Sequence, residues 1–205
     1  MSHAQRAITG DGPRILVVGS SGSGKTTLAG QLAARLGIPH VELDALHWEA
    51  GWIEAPDALM RERVAAALAG PGWVIDGNYS QVRDLTWGQA DTFVWLDYGL
   101  PLILARLSRR TFGRILTRAE LWHGNRESLR NALFSRDSLF LWTLSTYRRR
   151  RRDYPALLRQ PEYAHLTVLR FATPRATARW LASLPAAAAA DARPADLTML
   201  CTKMD

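Results

Sequence analysis

The chain has 205 residues, of which 47% are hydrophobic and 22% are charged. This composition supports a core of ordinary domain size and excludes a mostly disordered chain. The single cysteine, Cys201, excludes an internal disulfide and a cysteine-based metal cluster. We expect a cytoplasmic protein, because no apolar stretch reaches the roughly 18 residues of a membrane span and the N-terminus resembles no secretory signal.

The formal net charge of +7 is unevenly distributed along the chain. Residues 106–152 contain 13 arginines and 3 acidic residues and carry +10, whereas the remaining 13 basic and 16 acidic residues carry −3. A cationic segment of this kind is either a solvated face or a site for the phosphates of a nucleotide or nucleic acid.

The predicted elements alternate between strands and helices. Strands are expected at 14–18, 40–44, 73–76, 91–97 and 166–171, and helices after the first strand, from Pro56 to Leu68, from Pro101 and from Pro174. This alternation predicts an α/β fold with a parallel sheet. We expect one domain over 14–184, with flexible segments at 1–13 and 185–205.

The segment from Thr111 to Tyr154 interrupts this alternation. Its first part, about 111–125, is interpreted as a loop or small lid. From Arg126 to about Arg150 the apolar residues recur at helical spacing, which predicts a long amphipathic helix buried along one stripe. The stripe consists of Leu129, Leu133, Phe140, Leu144 and Tyr147.

The first strand leads directly into a glycine-rich phosphate-binding motif. Gly19-x-x-x-x-Gly24-Lys25-Thr26 is a complete P-loop between a buried strand and a helix. Its backbone amides and the helix N-terminus favour a bound phosphate, so the motif predicts ATP or GTP binding. Lys25 is expected to reach the β- and γ-phosphates, and Thr26 to ligate Mg²⁺. The expected ATP-binding residues are Gly19, Ser20, Ser21, Gly22, Ser23, Gly24, Lys25, Thr26 and Thr27.

Aspartates follow three of the predicted strands. Asp76 ends the third strand and is the favoured residue to hold Mg²⁺ together with Thr26, while Asp97 ends the fourth and is the weaker candidate. Asp44 ends the second strand, on the side of the sheet where α/β folds bind ligands. It is a candidate to accept a proton from an acceptor hydroxyl or to bind the acceptor.

Several residues after Asp44 are further candidates for the acceptor side. His47 is either an acceptor ligand or an ordinary buried histidine. Trp48 and Trp52 either stack on a ring of the acceptor or simply pack in the protein.

Arginines recur at three- and four-residue steps from Arg106. If helical, they form one stripe pointing into the site, where arginines stabilise a transferring phosphoryl group. The stripe consists of Arg106, Arg109, Arg110, Arg114 and Arg118, and Arg126 and Arg130 open the next helix. Of the run from Arg148 to Arg152, at most two are expected to take part in the chemistry.

Taken together, these motifs resemble the P-loop nucleoside monophosphate kinases, and more closely the adenylate kinase-related proteins labelled DNA topology modulation proteins. The resemblance covers about residues 14–184. It implies a three-layer fold with a five-stranded parallel sheet in the order 2-3-1-4-5, an arginine-rich helical lid, and ATP with Mg²⁺. It is carried by Asp44-x-Leu-x-Trp48, Gly51-Trp52, Val-Ile-Asp76-Gly-Asn-Tyr79, Leu-Asp97-Tyr98 and the helix with Arg106 and Arg110.

The acceptor side departs from the adenylate kinase pattern. Adenylate kinases place an arginine that grips the AMP phosphate where this chain has His47. Arg83 is the candidate substitute, and Asn78 is a further acceptor candidate. The Asp44-x-Leu-His47 element also resembles gluconate-type kinases, whose acceptor is a hydroxyl group.

The sequence therefore predicts an ATP-dependent kinase with a small-molecule or nucleotide acceptor. The alternatives are a kinase of a hydroxyl-bearing metabolite and a nucleotide-gated DNA-binding regulator, with nucleic-acid binding expected to be weak. The expected catalytic residues are Lys25, Asp44, Asp76, Arg106, Arg110 and Arg126.

Overall fold

The computed structural model describes Ile8 and residues 12–126 and 139–185. Five parallel strands form its main sheet: β1 (Arg14–Gly19), β2 (His40–Glu42), β5 (Trp73–Asp76), β6 (Thr92–Leu96) and β7 (Thr167–Phe171). A short antiparallel hairpin follows β2 and consists of β3 (Trp48–Glu49) and β4 (Ile53–Glu54). The sheet order is β2-β5-β1-β6-β7, which confirms the predicted order 2-3-1-4-5 for the five sheet strands.

The helices connect the strands and cover the sheet. They are α1 (Lys25–Leu36), α2 (Leu43–His47), α3 (Asp57–Ala67), α4 (Arg83–Gln89), α5 (Leu100–Thr117), α6 (Leu139–Leu157) and α7 (Pro174–Ser183). Short 3₁₀ turns lie at Ser80–Val82, Trp122–Gly124 and Pro161–Tyr163. No helix in the described ranges is long and apolar enough to cross a bilayer.

The central strand β1 is buried on both of its faces. Ile15 and Val17 pack in one apolar cluster with Leu32 of α1, and Leu16 and Val18 pack in another with Met60 of α3. A parallel strand that is covered on both sides reads as a continuous apolar run, as Ile15–Val18 does. The structure is therefore the three-layer α/β P-loop kinase fold predicted from the sequence.

The chain around Asp44 differs from the prediction. We expected a strand over 40–44 that ends at Asp44, but β2 ends at Glu42, and Asp44 lies in the single-turn helix α2. Leu43, which is fully buried, turns into the core there. Its side chain packs against Gly77, where an added Cβ would lie 2.8 Å from Leu43 Cβ.

The predicted lid segment is also partly helical. Residues 111–117 continue α5, and the helix ends at Arg118 with a left-handed backbone (φ 49°). Gly113 does not interrupt α5, because one glycine inside a helix costs only about 1 kcal/mol relative to alanine. Arg126 pairs with Glu120 in an isolated antiparallel bridge, so the prediction that Arg126 opens the next helix is wrong.

The amphipathic stripe predicted for residues 126–150 forms only part of the buried face of α6, where Tyr147 packs against the apolar cluster that contains Ile15. Leu144 is 39% exposed, whereas Thr143 and Thr146 are buried, and the helix continues past Arg150 to Leu157. Leu129, Leu133 and Arg130 lie outside the described residues. Most of the two ends that were predicted to be flexible also lies outside the described residues, namely 1–7, 9–11 and 186–205. Ile8 is described, and it packs in the same apolar cluster as Ile15.

Candidate active site

The P-loop connects the end of β1 to the start of α1. Gly22 (φ 83°) and Gly24 (φ 90°) adopt left-handed backbone conformations, and Gly24 is the N-cap of α1. A Cβ on Gly22 would lie 2.7 Å from the carbonyl oxygen of Ile103, so a side chain there would collide with α5. The loop thus presents backbone amides at a helix N-terminus, which is the arrangement that binds phosphate.

Thr26 and Asp76 meet beside this loop. The Thr26 hydroxyl donates a hydrogen bond of 2.9 Å to Asp76 Oδ1, and Asp76 is only 2% exposed. His40 Nε2 lies 2.9 Å from the other carboxylate oxygen and thereby fixes the orientation of the Asp76 side chain. The hydrogen bond to Asp76 is also the main cause that raises the pKa of His40.

These contacts fit a magnesium ion. Mg²⁺ prefers oxygen ligands and is usually held by one or two protein oxygens together with substrate phosphates and water. Thr26 and Asp76 supply such oxygens, and Asp76 is oriented by His40 rather than left free. Across the described ranges no group of three or more His, Cys, Asp or Glu residues could hold a metal ion.

A cleft of about 1470 Å³ opens above the P-loop. At one end it is lined by residues that follow β6 and β7, including Tyr98, Thr177 and Leu181. Tyr98 is tied to α7 by a 2.7 Å hydrogen bond between its hydroxyl and that of Thr177. At the other end the lining comes from β2 to β4 and from the residues around Trp122.

Arginines of α5 line the cleft at four-residue steps. Arg106, Arg110 and Arg114 belong to the lining, whereas Arg109 and Arg118 do not. Arg106 donates a 3.2 Å hydrogen bond to the carbonyl oxygen of Ser23 and lies over the Tyr98 ring at 5.6 Å. The structure therefore brings three of the five arginines of the expected stripe to the cleft, and Arg106 contacts the phosphate-binding loop. Arg126 also lines the cleft and forms an ion pair with Glu120.

An arginine of α6 also contacts the P-loop. Arg150 donates a 3.1 Å hydrogen bond to the carbonyl oxygen of Gly19, and its guanidinium lies 5.1 Å from the ring centre of Trp142. Its neighbours serve other partners, because Arg151 binds Asp97 and Arg152 binds Asp153. Arg150 is thus the member of the 148–152 run that contacts the P-loop.

A smaller pocket of about 210 Å³ lies beside the P-loop. Its lining includes Lys25 and Arg150 from the phosphate side and Asp44, His47 and Tyr79 from the opposite side. The Tyr79 hydroxyl donates a 2.7 Å hydrogen bond to Asp44 Oδ1. Burial, followed by the charge of Asp44, raises the pKa of Tyr79, so the phenol remains a donor at neutral pH.

His47 lies at the base of this arrangement. It is 3% exposed, and its Nδ1 has no hydrogen-bond partner in the part of the chain that the structure describes. Its Nε2 is 3.8 Å from Glu54 Oε1, beyond hydrogen-bond distance. Its ring packs against Tyr79 at 4.4 Å and against Trp48 at 4.8 Å.

The hairpin β3–β4 is bound to the end of the lid segment. Asn125, which is 4% exposed, accepts a hydrogen bond from the Trp52 amide (3.0 Å) and donates one to the Glu49 carbonyl oxygen (2.8 Å). The indole of Trp52 donates to the Arg126 carbonyl oxygen at 3.2 Å, and His123 Nδ1 lies 2.7 Å from the Trp48 carbonyl oxygen. The lid segment and the hairpin therefore form one hydrogen-bonded unit.

The remaining acceptor candidates lie differently. The Asn78 side chain borders the small pocket, but its amide donates to the Tyr154 hydroxyl at 2.8 Å and its oxygen accepts from the Trp87 indole at 3.2 Å. The Arg83 guanidinium lies over the Trp87 ring at 5.4 Å, and Arg83 lines neither the cleft nor the small pocket. The structure does not bring Arg83 together with Asp44 and His47.

Asp97, the second metal candidate, is engaged in ion pairs. Its side chain is 4% exposed and accepts hydrogen bonds from Arg151 (2.5 Å) and Arg170 (2.9 Å to Nε). These contacts tie β6 to β7 and α6, and Asp97 does not line the cleft. Of the two strand-end aspartates, Asp76 is the one beside Thr26.

Sequence reasoning gave no role to His40, Glu42 or Trp122. His40 could have been noticed as a histidine at the start of a strand expected to run beside the strand of Asp76. Glu42 and Trp122 are joined by a 3.3 Å hydrogen bond from the indole to the carboxylate. They are 80 residues apart, so no local pattern indicates that contact.

Comparisons with known proteins agree with a P-loop nucleotide-binding core. Residues 15–75, less than a third of the chain, match the model of the ATPase family associated with various cellular activities (AAA). A search of curated proteins gives no significant match. The resemblance to DNA topology modulation proteins therefore stays a prediction.

Solved structures of kinases are similar to this chain at low identity. A sugar kinase from a Janibacter species is 22% identical, with 83% of this chain and 93% of that chain covered and a TM-score of 0.46. A gluconokinase from Sinorhizobium meliloti 1021 is 21% identical (83% and 91% covered, TM-score 0.46). A shikimate kinase from Bacteroides thetaiotaomicron is 16% identical (83% and 94% covered, TM-score 0.44).

Proposed function

We propose that this protein is an ATP-dependent phosphotransferase that moves the γ-phosphoryl group of ATP to a hydroxyl group of a small acceptor. The observation that carries the proposal is that Lys25 of the P-loop and Asp44 open onto the same pocket of about 210 Å³. A phosphate-binding cation and a carboxylate at one small pocket are the two groups that phosphoryl transfer to a hydroxyl requires.

Each group has a definite role in this reaction. Lys25 and the loop amides bind the terminal phosphates, and Arg106 and Arg110 offset negative charge that spreads over the transferring group. Mg²⁺, held by Thr26 and Asp76, would neutralise phosphate charge. Asp44 accepts the proton of the acceptor hydroxyl while the new O–P bond forms, the bond between Pγ and the bridging oxygen breaks, and ADP leaves with the bonding electrons.

The acceptor side favours a hydroxyl compound over AMP. This chain has His47 where adenylate kinases place the arginine that grips the AMP phosphate with its forked guanidinium, and Arg83, the sequence candidate to replace that arginine, lies over Trp87 and does not line the cleft. His47 is a single ring with a buried Nδ1 and offers no such fork. We therefore favour a hydroxyl-bearing metabolite over a nucleotide as the acceptor.

The DNA-binding alternative receives less support from the cationic segment. Arg150, Arg151 and Arg152 contact Gly19, Asp97 and Asp153 within the protein. We expect duplex DNA to bind weakly and to dissociate steeply with added salt, because phosphate contacts release counterions.

An acceptor screen that measures ADP release tests the proposal. Sugars, polyols, amino alcohols and nucleoside monophosphates are offered with ATP and Mg²⁺, and Lys25→Ala serves as the inactive control. We expect stimulation by a hydroxyl compound. Efficient conversion of AMP to ADP would instead support the nucleotide acceptor, and ATP-independent, sequence-selective DNA binding at physiological salt would support the regulator.

A further inference from the structure

Three indole rings form one wall of the cleft at its acceptor end. Trp48 and Trp52 are 5.6 Å apart between ring centres at an interplanar angle of 78°, and Trp52 and Trp122 are 6.4 Å apart at 84°. All three are partly buried and line the cleft. The negative faces of indole rings attract organic cations, and several rings around one space form the aromatic sites that bind such ligands.

The same end of the cleft is acidic. Residues 40–54 contain four carboxylates and no lysine or arginine. Glu49 is paired with Arg63 at 2.5 Å, and the other three, Glu42, Asp44 and Glu54, line the cleft. Glu54 is exposed and lies 3.8 Å from the buried ring of His47, whose Nδ1 has no partner among the described residues.

The wall is held in place before any ligand binds. The carboxylate of Glu42 accepts the hydrogen bond of the Trp122 indole, and Trp52 is fixed by Asn125 and the Arg126 carbonyl oxygen. Trp52 also adopts a left-handed backbone (φ 60°) in the turn between β3 and β4, directly after Gly51 (φ 77°). Such a preformed site loses little freedom when a ligand enters.

Most cations of the cleft belong to other elements, namely the P-loop, α1 and α5. Arg126 follows the Trp122 turn at the acceptor end, and its charge is paired with Glu120. Phosphates of the donor would offset the positive charge of Lys25 and Arg106 at the P-loop. The acceptor end thus differs in charge from the donor end, and an acceptor with a phosphate or carboxylate would meet carboxylates there.

We propose that the acceptor is a small hydroxylated organic ammonium compound, such as an amino alcohol or an amino sugar. Its cation would lie against the indoles of Trp48, Trp52 and Trp122 near Glu42 and Glu54, and its hydroxyl would reach Asp44. This inference rests on the proposed phosphotransferase function and specifies its acceptor.

Binding of charge-matched probes tests the inference without turnover. The full-length protein is saturated with Mg²⁺ and a non-hydrolysable ATP analogue, and calorimetry compares choline with dimethylbutanol, its uncharged carbon isostere, and glucosamine with glucose. We expect the charged member of at least one pair to bind about tenfold more tightly. Equal affinity within both pairs, tighter binding of gluconate, or no binding of either cation overturns the proposal.

Variants locate the site of this preference. Glu54→Gln and Trp122→Leu should each reduce the preference for the cation, whereas Glu62→Gln, which removes an exposed carboxylate of α3 outside the cleft, should leave it unchanged. A preference that survives both cleft variants overturns the assignment to this wall. If Trp122→Leu lowers the thermal midpoint, the test of this wall rests on Glu54→Gln alone. Glu54 is exposed, so its substitution should not destabilise the fold.

ADP release separates this inference from the proposed function. Turnover with an uncharged or anionic acceptor would keep the phosphotransferase and overturn the cationic acceptor. Cation-selective binding without ADP release would keep the cationic site and contradict the phosphotransferase.

Discussion

The Tyr79 hydroxyl donates a hydrogen bond of 2.7 Å to Asp44 Oδ1 and so joins the loop after β5 to α2. The contact fixes the carboxylate at the small pocket opposite Lys25. Because Tyr79 stays protonated, Asp44 always has one oxygen occupied by a donor, and its proton-accepting role falls on the remaining lone pairs.

Asp44→Asn is expected to lower turnover by roughly 10²-fold or more, because a general base contributes at least that much. ATP affinity should stay nearly unchanged, since Asp44 lies on the acceptor side. Tyr79→Phe keeps the carboxylate and should cost less. Steady-state ADP release and ATP-analogue titration measure both quantities, and loss of ATP binding in Asp44→Asn would instead place Asp44 near the metal.

Lys25→Ala removes the cation expected to bridge the terminal phosphates. We expect turnover to fall by about 10²-fold or more, in line with the loss of electrostatic stabilisation in other enzymes. The fold should persist, which circular dichroism checks. ATP turnover close to that of the wild type would refute the P-loop assignment.

His40→Ala tests how the orientation of Asp76 affects magnesium use. Removing the contact at 2.9 Å leaves Asp76 free to rotate away from Thr26, so more Mg²⁺ should be needed for half-maximal turnover and for ATP-analogue binding. Asp76→Asn should have the larger effect. An unchanged Mg²⁺ requirement in both variants would exclude this carboxylate as the metal ligand.

Asn125→Ala tests the bond between lid segment and hairpin. The variant loses the hydrogen bonds to the Trp52 amide and the Glu49 carbonyl oxygen. Trypsin should then cut faster at Arg118 and Arg126, and the KM for the acceptor should rise more than that for ATP. Thr117→Ala is the matched control, because the hydrogen bonds of the Thr117 hydroxyl to described residues go to carbonyl oxygens of its own helix. Equal cleavage of the two variants would argue against the bond.

Two aspartates with arginine partners should differ in their effect on stability. Asp97→Asn breaks a buried pair of ion contacts and should lower the free energy of unfolding by about 1–3 kcal/mol. Asp84→Asn removes an exposed pair with Arg61 and should change the thermal midpoint little. Arg61 lowers the pKa of Asp84, so the small contribution is present above the ordinary carboxyl pKa and is lost as the pH falls through the lowered value. A similar loss of unfolding free energy in both variants would contradict the expectation that the buried carboxylate contributes more to stability than the exposed one.

The sheet was predictable because its signals are local. Continuous apolar runs mark β1 and β6, and glycine and proline mark the helix ends at Gly37 and Pro174. The position of Asp44 was not predictable in this way, because the chain leaves β2 when Leu43 packs against Gly77, a contact across 34 residues. Apolar spacing in α6 likewise indicated only part of its buried face.

Local motifs also predicted the P-loop and its partner Asp76. The acceptor wall was harder to predict from the sequence, because it forms through tertiary contacts. Asn125 binds the Trp52 amide, and Trp122 binds Glu42. Arg83 shows the reverse case, since its position in the sequence suggested a ligand and its stacking on Trp87 gives it a structural contact.

Because β1 lies at the centre of the sheet, the two ends of the cleft are formed largely by different chain segments, which can change independently in evolution. Residues after β2 and β5 lie on one side of the P-loop strand and line the acceptor end together with Trp122 of the lid segment, whereas Tyr98 after β6 and Leu181 after β7 line the opposite end of the cleft. Selection could therefore alter residues 40–54 and change the acceptor while the nucleotide half keeps its sequence. A related chain with the same P-loop and a different hairpin would be expected to use the same donor on another substrate.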